Sequence, residues 1–458
     1  MTLQGTVYLI FGREKLCRTY AMDKAATKLD RIMMKAKREP KTRFTYVKYL
    51  LNEEYLYNCY QELEKGKAAG VDGRTVESYT QEEIRHEIRE IIESMKRDQY
   101  KPQPIRRVWI PKESGTKRAL GIPTVIDKII QMGCGKIITA IWEPKFLSVS
   151  YGYRPGRDAH ASLKQINHMI MGKPVNYVVE ADIEGFFDHV NHVWMRRCLK
   201  EHIADPRFLN LITQMLKTEV SEDGRITKIE EGTPQGGIIS PILANVYLHY
   251  VLDLWFEIRE KKEITGYAQL VRYADDFVIG CQNKAEAEKV LNDIGKRFIQ
   301  FGLKLSEEKT RIIEFGRFAQ ENRKRRKEKR ETFDFLGFTH YCSQTIDGRY
   351  AVKVQTSRKR VKRSQQAMHT YLKENRSVPL KQLWEMVAMK LRGHYQYYGV
   401  SGNFEAIKIF HKKTRQMAFK WLNKRSQKRS YNWEQFTNFS MRHPLPQPKL
   451  YYAFYNTW

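Results

Sequence analysis

The chain has 458 residues, too many for one ordinary hydrophobic core, so we expect two or three modules. Its 81 Lys and Arg residues outnumber its 52 Asp and Glu residues, and the formal net charge of +29 indicates a long polyanion as partner. No apolar run approaches the roughly 18 residues that a membrane-spanning helix requires, which argues against a membrane partner.

The N-terminal part of the chain has a charged, helical pattern up to about residue 95, interrupted by the loop GKAAGVDG (66–73). The first residues, MTLQGTVYLIFGREKL, contain an apolar patch without a charged segment before it or a cleavage site, so they do not predict a signal peptide. Met22 would serve equally well as the natural start. Between residues 100 and 130, short β segments broken by Pro and Gly are predicted.

The segment NYVVEADIEGFF (176–187) alternates as a strand, with Val178, Glu180 and Asp182 on one face. A helix is predicted from Pro241 to Asp253, with Ser240 as its N-cap.

A clear amphipathic helix is predicted from Asn283 to Phe301. Asn283 and Glu286 resemble a capping box at its start, and Gly302 is a suitable stop.

The C-terminal third begins with the charge run ENRKRRKEKR (321–330), which predicts a solvated loop or an extended helix. FDFLGFTHY (333–341) has a strand pattern, and from about residue 355 onward we expect helices rich in Lys, Arg and aromatic residues. The last thirty residues, which contain three prolines, predict an irregular tail. Six cysteines occur singly, without the spacing of a zinc site or a disulfide framework, which favours reduced thiols in a cytosolic protein.

The motif LVRYADDFVIGC places Asp275 and Asp276 between two apolar segments with strand patterns. Carboxylates are costly to bury there unless they are paired or bind a metal, and Mg²⁺ is the natural candidate. Asp182 can supply a third carboxylate, as two-metal phosphoryl transfer requires. A solvated turn, and a paired strand-end residue in the case of Asp182, are the alternatives.

A glycine pair follows in EGTPQGGIISPILANVYL (231–248). Gly236 and Gly237 would let a nucleic-acid strand approach the backbone where a Cβ atom would collide. The alternative is ordinary chemistry at the start of a helix.

Taken together, several motifs resemble those of the group II intron reverse transcriptases, also called maturases. The matching blocks, in the order and at the spacing of that family, are SYGYRPGRDAH (150–160), ADIEGFFDHVNH (181–192), GTPQGGIISPILANVYLHYVLD (232–253), VRYADD (271–276), GLKLSEEKT (302–310) and FDFLGF (333–338). LRGHYQYYG (391–399) is similar to the signature of the family's thumb, or maturase, domain, and the resemblance covers roughly residues 45 to 430.

The resemblance implies an α+β fold, a right-hand polymerase with fingers and palm followed by an α-helical thumb (maturase X) domain. The implied modules are an N-terminal extension (1–44), fingers (45–175), palm (176–345), thumb (346–430) and a short C-terminal tail (431–458).

The resemblance also assigns roles to the residues of the palm. Asp182, Asp275, Asp276 and the backbone at Ile183 would bind two Mg²⁺ ions, with Asp276 contributing less than the other two carboxylates. Lys309 matches the lysine proposed to protonate the pyrophosphate leaving group, although an exposed and idle lysine is the alternative.

The incoming dNTP would be contacted by Lys112, Arg118, Gln235 and Phe187, whose ring rejects ribonucleotides. Phe186 competes for that role, and both rings could equally belong to the core. The residues implied to contact template and primer are Pro234, Gly236, Gly237, Phe335, Leu336 and Gly337.

The helical region contains HKKTRQMAFKWLNKRSQKRS (411–430), with eight Lys and Arg residues and no Asp or Glu. Basic helices suit the phosphates of structured RNA. For Phe419, Trp421 and the tyrosines of LRGHYQYYG, the alternatives are packing in the protein core and stacking on RNA bases. The cations expected to bind RNA are Arg392, Lys412, Lys413, Arg415 and Lys420.

The function implied is RNA-directed DNA synthesis for a mobile group II intron, with assistance to intron splicing and retrohoming. Its partners would be the intron RNA, a DNA primer or target and dNTPs, and the protein would act as a monomer or dimer in the bacterial cytoplasm at the nucleoid. Because the chain stops at Trp458 without paired cysteines, we expect no Cys/His endonuclease of the kind found in many relatives. The alternatives are a non-catalytic splicing cofactor, or a related enzyme domesticated for host repair or defence.

Overall fold

The computed structural model describes residues 24–111, 117–228, 231–233, 236–345, 347–425 and 430–454. Lys112, Pro234 and Gln235, for which nucleotide or template contacts are predicted, lie outside the described residues. Across the parts of the chain that the structure describes, no helix has both the length and the apolar character needed to cross a membrane.

The helices follow one another along the whole chain. In order they are α1 (Lys24–Arg38), α2 (Glu53–Gln61), α3 (Gln81–Lys96), α4 (Val125–Trp142), α5 (Ala159–Gly172), α6 (Phe186–His189), α7 (His192–Lys200), α8 (Pro206–Leu216), α9 (Ser240–Leu248), α10 (Leu254–Ile258), α11 (Lys284–Gln300), α12 (Ala319–Arg326), α13 (Arg358–Glu374), α14 (Leu380–Tyr398), α15 (Phe404–Leu422) and α16 (Trp433–Arg442). A π-helical turn, His249–Asp253, joins α9 to α10.

The strands are short and form three sheets. In chain order they are β1 (Ile105–Pro111), β2 (Lys117–Ile122), β3 (Tyr177–Ala181), β4 (Val220–Glu222), β5 (Arg225–Thr227), β6 (Ala268–Tyr273), β7 (Asp276–Cys281), β8 (Arg311–Glu314), β9 (Thr332–Phe335), β10 (Phe338–Gln344) and β11 (Tyr350–Thr356). The spatial orders are β6-β7-β3-β8, β2-β1-β4-β5 and β11-β10-β9.

The chain divides into two compact units. The first comprises residues up to Ser162, Val179–Ile279 and Ala285–Arg311, and the second comprises Leu163–Val178, Gly280–Lys284 and the chain from Ile312 onward.

In the first unit the central element is α4, which is buried on nearly every side and packs against α1 and α2. Thr124 caps its start by accepting a hydrogen bond from the Asp127 amide. Ahead of this helix, β1 and β2 form the predicted β segments as an antiparallel pair, with Ile110 opposite Arg118.

In the second unit, α13 to α16 enclose one apolar core, and β9, β10 and β11 form an antiparallel sheet. The fully buried members of that core include Val387, Leu391, Ile407 and Phe436. These elements confirm the helices predicted after residue 355 and the strand predicted at 333–341.

Most predicted elements are confirmed, including the amphipathic helix, which is α11 and buries Ala287, Val290, Ile294 and Phe298. The charge run forms α12 and the turn after it. The five described cysteines are buried and form no disulfide with one another, which agrees with the prediction of reduced thiols.

Three details of the predictions are wrong. Ser240 is the first residue of α9 and not its N-cap, because its amide already donates to the Gly237 carbonyl (3.3 Å), and Ile239 occupies the cap position. The predicted strand 176–187 ends at Ala181, since Gly185 adopts a φ of +52° and the chain enters α6.

The third error concerns the C-terminal tail, which contains α16. Asn432 and Gln435 form a reciprocal capping box at its start, and Phe436 is buried in the core of the second unit. These local signals outweigh the prolines, which come after the helix has ended.

Candidate active site

The two adjacent carboxylates lie on the turn of a β hairpin, as predicted. Tyr273 ends β6 and Asp276 begins β7, and Ala274 between them adopts a left-handed φ of +58°. Asp275 is partly buried and Asp276 is exposed to solvent.

Asp182 follows β3, the strand next to β7, at its carboxyl end. Its carbonyl accepts a hydrogen bond from the Ser306 amide (2.9 Å), and Ile183 forms an antiparallel bridge with Leu305. This pairing brings the GLKLSEEKT segment alongside, so that Lys309 Nζ lies 2.6 Å from Asp182 Oδ2. Asp182 and Lys309, to which the resemblance assigns separate roles, are therefore in direct contact in the structure.

The electrostatics of the cluster favour a cation. Desolvation by the surrounding protein raises the pKa of Asp275 and Asp276, although Asp276 keeps a solvent-exposed face. The charge of Asp182 adds to both shifts, and Asp276 also shares a hydrogen bond with Asp182. Three carboxylates so close together cannot all ionise readily without a positive charge among them.

Lys309 supplies one such charge. Burial lowers the pKa of its ammonium, but the hydrogen bond to Asp182 and the nearby carboxylates outweigh that effect, so the pKa is raised overall. Within the described ranges, no three His, Cys, Asp or Glu side chains already converge as metal ligands. The ammonium lies beside Asp182 Oδ2, where a cation is favoured, and carboxylate oxygens are the kind of ligand that Mg²⁺ prefers.

Of the residues predicted to contact the nucleotide, Arg118 lies on β2, and its positive charge acts on both Asp275 and Tyr153. Phe186 is core, only 2% exposed, whereas Phe187 is half-buried and stacks edge-on against it. Between the two rings, Phe187 is the one with an accessible face.

The glycine pair has a protein neighbour. A Cβ atom on Gly236, which has a φ of +113°, would lie 2.4 Å from the Gly121 carbonyl oxygen of β2. Packing inside the first unit is therefore enough to explain why residue 236 is a glycine. A contact of Gly236 or Gly237 with nucleic acid stays a prediction.

In the second unit, Leu336 and Gly337 form the tight turn between β9 and β10, with φ values of +50° and +83°. Phe335 and Leu336 are buried, and Tyr397 Oη donates to the Leu336 carbonyl (2.8 Å). Tyr397 and Tyr398 of LRGHYQYYG thus pack against Phe338, which follows this turn, whereas Tyr395 belongs to the helical core.

The predicted RNA-binding cations lie on α14 and α15. Arg392, Lys412, Lys413 and Lys420 are exposed, and Arg415 is half-buried. Trp421 is buried and Phe419 packs on Trp433 and Phe436, so core packing accounts for both rings.

Sequence reasoning missed the residues that hold the carboxylate turn. The Arg272 amide donates to the Val149 carbonyl (2.8 Å), and the Tyr151 amide donates to the Arg272 carbonyl (2.9 Å). The start of the SYGYRPG block therefore pairs with β6 through its backbone. A Cβ atom on Gly152 would lie 2.4 Å from the Ala274 amide nitrogen. Two features of the sequence could have indicated these residues. Arg272 is a charged residue inside an otherwise apolar strand, and Asp253 is an acidic residue of opposite charge at the end of an apolar helical stretch.

Comparison with known proteins gives a consistent result. The family model for reverse transcriptase (RNA-dependent DNA polymerase) matches residues 110–340. The chain is 34% identical over 326 residues to the group II intron-encoded protein LtrA of Lactococcus lactis subsp. cremoris, which covers 58% of this chain and 53% of that protein. It is 31% identical over 273 residues to protein YkfC of Escherichia coli (strain K12), covering 53% of this chain and 71% of that protein.

A third relative is an uncharacterized 91 kDa protein in a cob intron of Schizosaccharomyces pombe. It is 35% identical over 242 residues, which is 52% of this chain and 30% of that protein. The chain spans about half the length of LtrA.

Proposed function

The chain belongs to the reverse transcriptase (RNA-dependent DNA polymerase) family, and from this premise we propose that it copies RNA into DNA for a mobile group II intron and assists the splicing of that intron as a maturase. The observation that carries the proposal is the cluster of Asp182, Asp275 and Asp276 with Lys309, which lies inside the matched region. The similarity to a group II intron-encoded protein supports the assignment to a group II intron.

Asp182 and Asp275 would hold two Mg²⁺ ions, with a smaller contribution from Asp276 and from the backbone carbonyl at Ile183. When bound, these ions supply Lewis-acid activation of the primer 3′-hydroxyl and neutralise charge on the pyrophosphate.

The side chains of this site move and hold protons. The hydrogen bond between Asp276 and Asp182 means that a proton must leave the pair before all of the carboxylates can act as ligands. Lys309 carries a proton on Nζ at neutral pH, as lysine ordinarily does, and it donates that proton to the pyrophosphate as the leaving group departs.

The nucleotide is gripped by the fingers. Arg118 and Lys112 bind the triphosphate through charge-assisted hydrogen bonds, and Gln235 contacts the nascent base pair. The accessible ring of Phe187 lies against the sugar and excludes a 2′-hydroxyl. Pro234, Gly236 and Gly237 contact the template, and the turn of Phe335, Leu336 and Gly337 contacts the primer.

The exposed cations of α14 and α15 bind the phosphates of intron RNA and help the ribozyme to fold. Support comes from the absence of any Asp or Glu between residues 411 and 430 and from the exposure of Lys412, Lys413 and Lys420. The partners proposed are therefore intron RNA, a DNA primer and dNTPs.

Extension of a DNA primer annealed to RNA, with Mg²⁺ and dNTPs, tests the polymerase. The wild-type protein should make cDNA and the Asp275→Ala variant should make essentially none. Asp347→Ala, the same change on an exposed hairpin of the second unit, is the matched control and should behave as wild type. Equal signals from wild type and Asp275→Ala would end the polymerase proposal.

Splicing of intron RNA at physiological magnesium tests the maturase separately. Splicing that survives Asp275→Ala would show that RNA folding needs the surface of the protein and not its chemistry. Sequencing the RNA that co-purifies with the protein distinguishes an intron client from a role in host repair or defence.

A further inference from the structure

We propose that Arg272 is a positioning residue: it fixes the Ala274 carbonyl, and through it the two carboxylates of the turn, while Asp253 fixes Arg272. This inference rests on the proposed polymerase function, since it assigns a role to a side chain behind the same site. It concerns an ion pair whose two side chains are completely buried.

The guanidinium of Arg272 uses all five of its N–H donors inside the first unit. Nε and Nη2 donate to the two carboxylate oxygens of Asp253, at 2.7 and 2.6 Å. Nη2 also donates to Ser150 Oγ (2.7 Å). Nη1 donates to Asn245 Oδ1 (3.0 Å) and to the Ala274 carbonyl (2.8 Å).

The bond to Ala274 reaches the one strained residue of the turn. A left-handed φ of +58° is uncommon for alanine and persists only where surrounding contacts enforce it. Asp275 and Asp276 follow at once, so a rotation at Ala274 would redirect both side chains.

The other groups that fix Arg272 come from separate elements. Asp253 ends the π-helical turn, and Asn245 lies on α9. Asn245 Nδ2 also donates to the Gly152 carbonyl (2.7 Å), and Gly152 packs directly against the Ala274 amide. The turn is thus held from its carbonyl side by Arg272 and from its amide side by Gly152.

Stability alone does not require charges here. Arg272 and Asp253 are both completely buried, and replacing a buried ion pair with apolar side chains of similar volume is often neutral or stabilising. An apolar pair cannot donate to the Ala274 carbonyl. The feature that the ion pair adds is therefore the fixed position of the turn.

The double variant Arg272→Met with Asp253→Leu separates the two roles. We expect it to fold and to bind RNA as wild type does, with a lower melting temperature because Ser150, Asn245 and the Ala274 carbonyl each lose a buried hydrogen bond. Its kcat for nucleotide addition should fall about 100-fold, the size of effect that a misplacement of about 1 Å can cause. More Mg²⁺ should be needed for half-maximal rate, whereas KM for the dNTP should change less than threefold.

A matched control is the double variant Arg323→Met with Glu331→Leu, which removes an arginine–glutamate pair of the second unit. It should leave kcat and the Mg²⁺ requirement unchanged. The conservative variant Arg272→Lys keeps a charge opposite Asp253 but lacks the fork that reaches Ala274, so it should fold and still lose kcat.

Wild-type kcat and Mg²⁺ requirement in a folded Arg272→Met/Asp253→Leu protein would overturn the proposal. If that protein does not fold, the Arg272→Lys variant decides, and wild-type kcat there overturns it equally. Failure of the polymerase proposal itself is recognised separately, because the wild-type protein would then extend no primer.

Discussion

The carboxylate turn of the first unit and helix α15 of the second unit use charge in opposite ways. Around the turn, Arg272 is matched by Asp253, and Lys309 by Asp182. On α15, neither Lys412 nor Lys413 has an acidic side chain in contact among the described residues, and both are exposed.

The difference distinguishes charges that fix the geometry of the site from charges that contribute affinity for nucleic acid. Charges that are satisfied inside the protein hold their neighbours at fixed positions, as the five bonds of Arg272 do. Exposed cations without partners fix little, but they gain counterion-release energy from a polyanion. We therefore expect substitutions near the turn to affect the rate and substitutions on α15 to affect binding.

The largest effect should come from Asp182→Asn. The change removes a charged metal ligand and the partner of Lys309, so primer extension should fall at least about 1000-fold, as loss of a group that acts in the transition state can do. Single-turnover extension measures this, and filter binding should show an RNA affinity within twofold of wild type. A large loss of RNA affinity would contradict the separation of the two regions.

The next effect tests α15 together with its neighbour α14. Replacing Arg392, Lys412, Lys413 and Lys420 with Gln should weaken RNA binding and lower the slope of log affinity against log salt by about 3, at roughly 0.7 per phosphate contact. The kcat at saturating RNA should be unchanged. The matched control changes four ion-paired lysines, Lys96, Lys261, Lys289 and Lys296, to Gln.

This control carries the same loss of charge, so an equal effect from both sets would mean that net charge, and not the exposed face, determines binding. A salt slope that stays at the wild-type value in the α14/α15 variant would also contradict the prediction.

Two glycine-to-alanine substitutions compare the effect of one added Cβ atom beside the carboxylate turn and on helix α14. In Gly152→Ala the new Cβ meets the Ala274 backbone at 2.4 Å, so we expect a destabilisation of about 3 kcal/mol and a reduced extension rate. Gly393→Ala lies in helix α14, where no described atom outside the helix's own backbone and the two chain neighbours comes within 4 Å of the new Cβ, so it should instead stabilise by about 1 kcal/mol. Thermal melts and extension rates check both, and equal stability changes would show that the turn tolerates the displacement.

The sequence alone predicts much of this fold because the informative signals are local. The period of α11, the turn residues of the YADD hairpin and the strand pattern at 333–341 each specify an element from a few neighbouring residues. The three carboxylates were predictable for the same reason, since charges inside apolar segments need an explanation.

What could not be predicted depends on contacts between distant segments. No local pattern pairs Asp253 with Arg272, or places Gly152 against Ala274, because those partners meet only after the first unit folds. At Gly236 the sequence predicted an approach of nucleic acid, which stays a prediction, and it gave no sign of the protein neighbour, Gly121.

The smallest expected effect is on the pH dependence of stability, and it comes from a histidine of the second unit that is buried in its uncharged form. His340 is fully buried on β10 and stacks parallel to Phe333 with ring centroids 4.6 Å apart, and among the described residues neither of its ring nitrogens has a hydrogen-bond partner. Burial lowers its pKa from 6.5 to about 3. Between these values the unfolded chain binds a proton that the folded protein excludes, so stability falls as the pH decreases below about 6.5.

For one such histidine the loss between pH 6.5 and pH 5 amounts to about 2 kcal/mol, at about 1.4 kcal/mol per pH unit. His340→Phe, which keeps an aromatic ring beside Phe333, should reduce the acid sensitivity of the second unit by that amount, as measured by denaturant unfolding at pH 7 and pH 5. The matched control is His86→Phe on the exposed face of α3, which should leave the pH dependence unchanged. If His340→Phe loses as much stability at pH 5 as the wild type does, this histidine is not the group that excludes the proton, and His394 of the same unit, whose pKa burial also lowers to about 3, becomes the next histidine to replace.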